Sequence, residues 1–312
     1  MARRTLSFMT CLLLFGAIPA LSAPQTVSLQ PHEDRLPTPL LKRGVPEQGN
    51  AAGFMASCLV RFALGDLKGA EAACGEAIAL DPKRADAFKL RGYAYLVEQR
   101  YERANADFRT AIRLKPSDDQ AVGGYAQSLS DMGRYSFAAD QFHKALVLAP
   151  EKAVYWNGLC WSQAAAGKGL QEALAACNKA LRIEPDAAGA YNSRGLVQLR
   201  LQRFAKAIED YSHSLRLSTD QPSARFGLGL ARLRKGDKAG AGDIRQARQL
   251  EPGIDQLFVG MGLLPEHCDV GDKRCPAGFP SASAEDMAVP LIVKLQEPER
   301  HTILRMAGLF TR

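Results

Sequence analysis

The chain of 312 residues predicts an all-α fold, an array of about six stacked helical hairpins. Three observations predict it. A short phrase recurs, a small residue followed by an apolar one and a proline: Ala77-Leu80-Pro82, Ala111-Leu114-Pro116, Ala145-Leu148-Pro150, Ala180-Ile183-Pro185 and Ala247-Leu250-Pro252, with a degenerate copy at Ser214, Leu217 and Thr219. The copies keep a period: Pro82 to Pro116 and Pro116 to Pro150 are 34 residues each, Pro150 to Pro185 is 35, and Pro185 to Pro252 is 67, close to two periods. Within a period two helical stripes alternate with a turn. A sustained period near 34 marks helix–turn–helix units that bury their apolar faces on their neighbours instead of in one central core.

Taken in order, residues 1–23 read as an export signal. Arg3 and Arg4 give a basic start, Leu6 to Leu21 is apolar, and small residues at Ala20 and Ser22 favour cleavage after Ser22 or Ala23. The alternative is a membrane anchor, for which the run is short and is weakened by Gly16 and Pro19. Residues 24–50 hold Pro24, Pro31, Pro37, Pro39 and Pro46 among polar residues, the composition of a disordered arm.

The array runs over 51–252 as units 51–84, 85–118, 119–152, 153–187, 188–221 and 222–252. In the second unit Phe88, Arg91, Gly92 and Tyr95 lie at i, i+3, i+4 and i+7, and Tyr101, Ala104, Phe108 and Ala111 form the matching stripe of the next helix. Gly92 and Ala104 allow close approach of the two backbones. The proline then stops the second helix, because it lacks the N–H for an i to i−4 bond and disfavours helix just before itself. Residues 253–312 begin with a helix, Gly253 to Phe258, expected to cap the last hairpin. Loop composition follows over 265–290, and the placement of Met287 to Arg312 stays open.

With the proline counted as slot 32, the same slots are filled again and again. The third unit has Ala126, Leu129, Gly133, Tyr135, Ala138, Phe142 and Ala145; the fifth has Tyr191, Gly195, Phe204, Ala207, Tyr211 and Ser214. The sixth has Leu228, Gly229, Gly236, Ile244 and Ala247. The fourth carries Trp156, Leu159, Ala173 and Ala180, with one extra residue near Gly167-Lys168-Gly169. These units resemble tetratricopeptide repeats. The resemblance implies a right-handed α-solenoid whose concave face is lined by slots two, five, nine, twelve and thirteen of each first helix. It points to Met55, Leu59 and Phe62 in the first unit and to Lys89, Tyr93 and Leu96 in the second. Gln120, Gln127 and Ser130 follow in the third, Asn157 and Trp161 in the fourth, Asn192, Leu196 and Arg200 in the fifth, and Phe226, Leu230 and Arg234 in the sixth. Asn157 and Asn192 suit the backbone of an extended peptide, Lys89, Arg200 and Arg234 suit a carboxylate, and Tyr93 and Trp161 suit the role of anchors. Tyr93 stands where the chaperone-binding members of the family carry asparagine, so their carboxylate clamp is not expected here.

Beyond Cys11 in the leader there are six cysteines. Cys58 and Cys160 share slot eight, Cys74 and Cys177 share slot twenty-four, and no other unit has cysteine in either slot. In an exported chain this predicts bridges Cys58–Cys74 and Cys160–Cys177 between the helices of one hairpin. The alternative is free cysteines filling small core slots. Slot twenty-four lies a turn beyond the expected closest approach at slot twenty, which places the Cα atoms near the upper bridging limit of ~6.8 Å. Cys268 and Cys275 enclose a short Asp/Gly loop and are expected to pair. With His267, Asp269 and Asp272 they match no zinc spacing, so no metal and no cofactor is expected.

No catalytic constellation emerges. His143 and His213 lie beside core slots and read as solvated surface; His32 and His301 lie outside the array. Gly227-Leu228-Gly229 lacks the third glycine of a phosphate loop and sits within a helix. Asp118 and Asp119 start a helix, where negative charge suits the dipole. The net charge of +7, +5 once Arg3 and Arg4 are removed, is spread along the helices instead of clustered, so nucleic acid is not an expected partner. The expectation is a non-catalytic scaffold, periplasmic or secreted, that holds a peptide or protein in its concave groove, its self-association left open. The alternative is an enzyme or enzyme-accessory factor acting on envelope polymers through the C-terminal segment.

Overall fold

The computed structural model describes residues 49–266, 268 and 274–280. The export signal, all but the last two residues of the proline-rich arm, the histidine of the Asp/Gly loop with its aspartates, and the segment from 281 onward lie outside them.

Among the described residues there are thirteen helices and no strand. They are α1 (Ala51–Ala63), α2 (Leu67–Leu80), α3 (Ala85–Val97), α4 (Tyr101–Leu114), α5 (Asp119–Asp131), α6 (Tyr135–Leu148), α7 (Ala153–Ala166), α8 (Leu170–Ile183), α9 (Ala188–Arg200), α10 (Phe204–Leu217), α11 (Pro222–Arg234), α12 (Gly240–Leu250) and α13 (Ile254–Gly260). Each odd helix up to α11 pairs with the even helix that follows, each even helix up to α10 packs on the next first helix, and successive first helices touch one another. The fold is therefore an all-α helical repeat solenoid with a layer of first helices and a layer of second helices. The short α13 packs on α11 and α12, in the place a seventh first helix would take.

Helix boundaries follow local chemistry. Asn50 caps α1 by accepting from the Gly53 N–H at 2.8 Å, Asp66 caps α2 through the Gly69 N–H at 2.9 Å, and Asp118 caps α5 through the N–H groups of Gln120 and Ala121. The turn inside every hairpin needs a left-handed residue in slot fifteen: Gly65, Gly133, Gly167 and Gly236 supply it cheaply, whereas Gln99 at φ 60° and Gln202 at φ 57° do not. All six second helices end at slot thirty. α10, which has Thr219 where the others have proline, ends there too, with Ser218 extended behind it. The stop therefore comes from hairpin packing as well as from proline.

The core is a line of side chains between the layers. Phe62, Tyr93, Phe108, Phe142, Tyr155, Tyr211, Phe226 and Ile244 are fully buried among a lining of alanines. Slots eight and twenty-four face each other inside a hairpin. A Cβ at Gly92 would lie 3.0 Å from the Phe108 ring, and one at Gly195 would lie 2.8 Å from Tyr211, so the aromatic needs the glycine. In the first and fourth units a cystine replaces both partners. Cys58–Cys74 and Cys160–Cys177 are bonded with Cα separations of 5.2 and 5.3 Å. That is well inside the bridging limit and corrects the expected near-limit distance, because slots eight and twenty-four face each other directly across the hairpin. Cys268 and Cys275 are bonded as well, with Cα atoms 5.7 Å apart.

Candidate functional site

The first-helix layer carries the predicted binding residues, and the structure separates them into two groups. Met55, Lys89, Gln120, Gln127, Asn157, Trp161 and Arg200 are half-buried and Leu59 and Arg234 are exposed, so these nine reach the surface. Phe62, Tyr93, Leu96, Ser130, Asn192, Leu196, Phe226 and Leu230 are buried. They do not line an open groove, which corrects the expectation for these eight.

The reasons differ along the array. The Tyr93 hydroxyl donates to the Gln120 carbonyl at 2.6 Å, tying the second unit to the third, and burial pushes its phenol well above the ordinary range. Tyr155 repeats the device one unit on, donating to the Asp119 carboxylate at 2.7 Å. Lys89 Nζ donates to Asp118 at 3.0 Å and to Gln120 at 2.8 Å, so its charge already serves the interface between units. Asn192 donates to Ser223 Oγ at 3.0 Å across the next interface. Phe226 is covered by the returning chain: Phe258 stacks on it at 4.4 Å and Phe279 meets it edge-on at 6.2 Å; Leu230 shares an apolar cluster with Phe258 and Leu264, and Leu196 one with Met261.

What stays accessible is a strip over the first four units. Leu59 is 42% exposed, beside Met55. Gln120 and Gln127 follow, half-buried, with the Gln127 amide held to Asp131 at 2.6 Å. Asn157 and Trp161 come one turn apart on α7, and the Asn157 Oδ1 is buried with no hydrogen-bond partner. The strip offers apolar surface, amides and one indole.

Arg200 ends the strip. Its guanidinium donates to the carbonyls of Ala165 and Met261 and pairs with no carboxylate among the described residues. Burial pulls its pKa below the ordinary guanidinium range. Tyr135 also lies within its field, its phenol pushed up to about 12 by burial. His213 corrects the solvated reading: it is half-buried, stacked on Tyr191 at 4.0 Å, with Nδ1 2.9 Å from the Arg216 guanidinium. Among the described residues no cluster of His, Cys, Asp and Glu is arranged to hold a metal ion, and no helix is long and apolar enough to cross a membrane.

Three features escaped the reading by slots. In the second and fifth units slot seven is arginine and slot twenty-three aspartate, and they pair: Arg91 with Asp107 at 2.7 and 2.8 Å, Arg194 with Asp210 at 2.6 Å. Burial raises the Asp210 carboxyl above the ordinary range although Arg194 opposes it. Second, an aromatic in slot twenty-four reaches the following unit, where slot six must be glycine. Cβ atoms at Gly124, Gly158 and Gly227 would stand 2.6, 2.3 and 2.4 Å from Phe108, Phe142 and Tyr211. Behind the cysteines Cys74 and Cys177, slot six is Leu90 or Ser193. Third, these features repeat at three units: Arg91, Gln99, Asp107 and Gly124 recur 103 residues later as Arg194, Gln202, Asp210 and Gly227, and Cys58 recurs 102 residues later as Cys160. The array is two copies of a three-hairpin block. The signal was present in the cysteine slots, and following the same offset to the arginines and glutamines finds the rest.

The fold defines the class first: an array of stacked helical hairpins with a layer of first helices and a layer of second helices. The tetratricopeptide repeat profile matches residues 59–119, 126–188, 161–222 and 192–250, more than half of the chain. The chain belongs to the tetratricopeptide repeat family, whose members mediate protein–protein interaction. A DnaJ protein of Arabidopsis thaliana is 26% identical over 171 residues, which are 50% of this chain and 35% of that one. The type IV pilus assembly protein PilF of Pseudomonas aeruginosa is 28% identical over 141 residues, 44% of this chain and 55% of that one. The chain thus spans about a third of the length of the first relative and about half of the second. Among solved structures, the APC/C hetero-tetramer Cut9-Hcn1 shares the fold at a TM-score of 0.60 with 16% identity over 72% of this chain and 44% of that one. The type IV pilus biogenesis factor PilW shares it at 0.56 with 18% identity over 64% and 93%.

Proposed function

We propose that the protein is a non-catalytic adaptor of the bacterial envelope that holds a peptide or protein partner on the first-helix face of its first four units. The observation that carries this reading is the contrast on that face: the strip from Met55 to Trp161 is open, while the same face of the last two units is covered. An extended segment laid on the strip would meet Met55 and Leu59 with apolar side chains, the Gln127 and Asn157 amides with its backbone, and the Trp161 indole with a larger anchor.

The envelope location is supported by the basic, apolar leader, by three cystines of a kind that persists in oxidising compartments, and by the likeness to PilF. Quantitative crosslinking of tagged protein in the envelope fraction tests the reading. Trp161→Ala is expected to deplete the specific partner at least tenfold, in line with removal of a central aromatic anchor. Arg234→Ala, on the exposed far end, is expected to leave it unchanged. Equal recovery from both variants would refute the strip as the binding surface.

A further inference from the structure

The first-helix face carries more apolar side chain in the last two units than in the first block. At equivalent positions of the two blocks stand Tyr93 and Leu196, Gly123 and Phe226, Gln127 and Leu230. The apolar member is always in the second block, and a segment of the chain lies over it. Capping explains only part of that segment. Ile254 and Phe258 on α13 share a cluster with Ile244 and Ala247, as the end of an array requires. After α13 the chain does not leave. Gly262 turns it at φ 70°, Met261 and Leu264 are buried at 5% and 6% exposure, and Met261 joins the cluster of Leu196, Val197 and Trp161, two units back.

The contacts are those of a ligand on a groove. Two apolar side chains three residues apart, Phe258 and Met261, face apolar slots, and a backbone carbonyl between elements takes the Arg200 guanidinium. Arg200 is half-buried, its guanidinium bonded to the carbonyls of Ala165 and Met261, and its Nε has no partner among the described residues, so the pocket is not satisfied by its own unit. Arg248 ties α13 through Asp255 at 2.7 Å to the later segment through the Pro280 carbonyl at 3.2 Å, and Cys268 and Cys275 are bonded between them.

We propose that the first-helix face of units five and six is a second polypeptide-binding surface, filled in this state by the chain's own residues 258–264. The partner it fits is a short amphipathic segment that presents two apolar side chains three residues apart and a free carbonyl to Arg200. Such a partner binds by displacing the built-in segment. The proposal rests on the first-helix face being a binding surface, but it concerns a different stretch of that face from the open strip.

The test uses the chain's own segment as the probe. A peptide of residues 254–266 is titrated into the full chain carrying Trp156→Phe, so that Trp161 fluorescence reports the cluster, with and without Met261→Asp and Leu263→Asp to release the built-in copy. A tethered segment acts at an effective concentration of roughly millimolar. The released chain is therefore expected to bind the peptide saturably and at least tenfold more tightly than the chain with its segment in place, and a scrambled peptide is expected not to bind. Failure of a released chain that keeps its helical circular dichroism to bind, or equal binding by both chains, overturns the proposal. If the double variant loses its helicity, Met261→Ala replaces it, with a gain of at least threefold expected and no gain overturning the proposal. Trp161 borders both stretches, so the crosslinking arm that separates the two readings is Leu59→Asp, in the exposed first-unit part of the strip: loss of the partner there is independent of the peptide titration.

Discussion

The two three-hairpin blocks share their internal devices and differ in what lies on their faces. Both open with a cystine-closed hairpin, continue with one closed by an arginine–aspartate pair, and end on a hairpin whose slot-six glycine receives the aromatic of the unit before. The first block presents Tyr93, Gly123 and Gln127 at positions where the second presents Leu196, Phe226 and Leu230. Internal closure is therefore a property of the frame, and the face is where the copies diverged. The closing device also sets what the next unit needs. An aromatic in slot twenty-four projects through its own hairpin and demands glycine beyond it, whereas a cystine stays inside and leaves room for a side chain.

That coupling gives the largest expected effect. Gly158→Leu drives a side chain into the Phe142 ring, which already stands 2.3 Å from where a Cβ would be. The expected loss is about 3 kcal/mol, the upper end of ordinary overpacking. Ser193→Leu, behind the cystine, copies the natural Leu90 and is expected to cost less than about 1.5 kcal/mol. Urea unfolding of the two variants decides it, and equal losses would show that slot six is not governed by the preceding closure.

The cystines offer a second way to separate the blocks. Each closes a loop of similar length, with sequence separations of 16 and 17, so the loop-closure gain is about 3 kcal/mol for both. Their contexts differ, because unit one has a single stacked neighbour and unit four has two. Replacing Cys58 and Cys74 by alanine is expected to raise amide exchange in α1 and α2 alone. Replacing Cys160 and Cys177 is expected to raise it through α5 to α10, since an interior unit cannot open without exposing both neighbours. Confinement of both effects to one hairpin would remove the distinction between an end unit and a middle one.

Most of the fold was legible in the sequence, because a solenoid repeats its local rules. The prolines, the slot-eight small residues and the paired cysteines all mark positions inside one hairpin, where spacing alone decides who meets whom. The face was legible only in part. Lys89 and Asn192 occupy binding slots, yet Asp118 and Ser223 of the next unit take their polar groups. Leu196 and Phe226 occupy binding slots too, yet Met261, Phe258 and Phe279 pack there, from outside the frame. Slots describe a helix and its hairpin. They do not describe what an adjacent unit or a returning segment will claim, and that requires coordinates.

The smallest expected effect is also the one that tests whether the blocks are equivalent inside. The second unit of each block turns through glutamine in slot fifteen, Gln99 and Gln202, where every other unit has glycine. A side chain in the left-handed region costs of order 1 kcal/mol, and the turn is otherwise the same, with the Gln99 N–H donating to Leu96 and the Gln202 N–H to Leu199, both at 3.0 Å. Gln99→Gly and Gln202→Gly are each expected to raise stability by about 0.5 kcal/mol, the strain relieved being partly offset by the extra freedom glycine gives the unfolded chain. Matched gains would mean that the second hairpin is held alike in both copies. A gain at Gln202 without one at Gln99 would mean that the covered face stiffens the second block against strain that the open first block can relax.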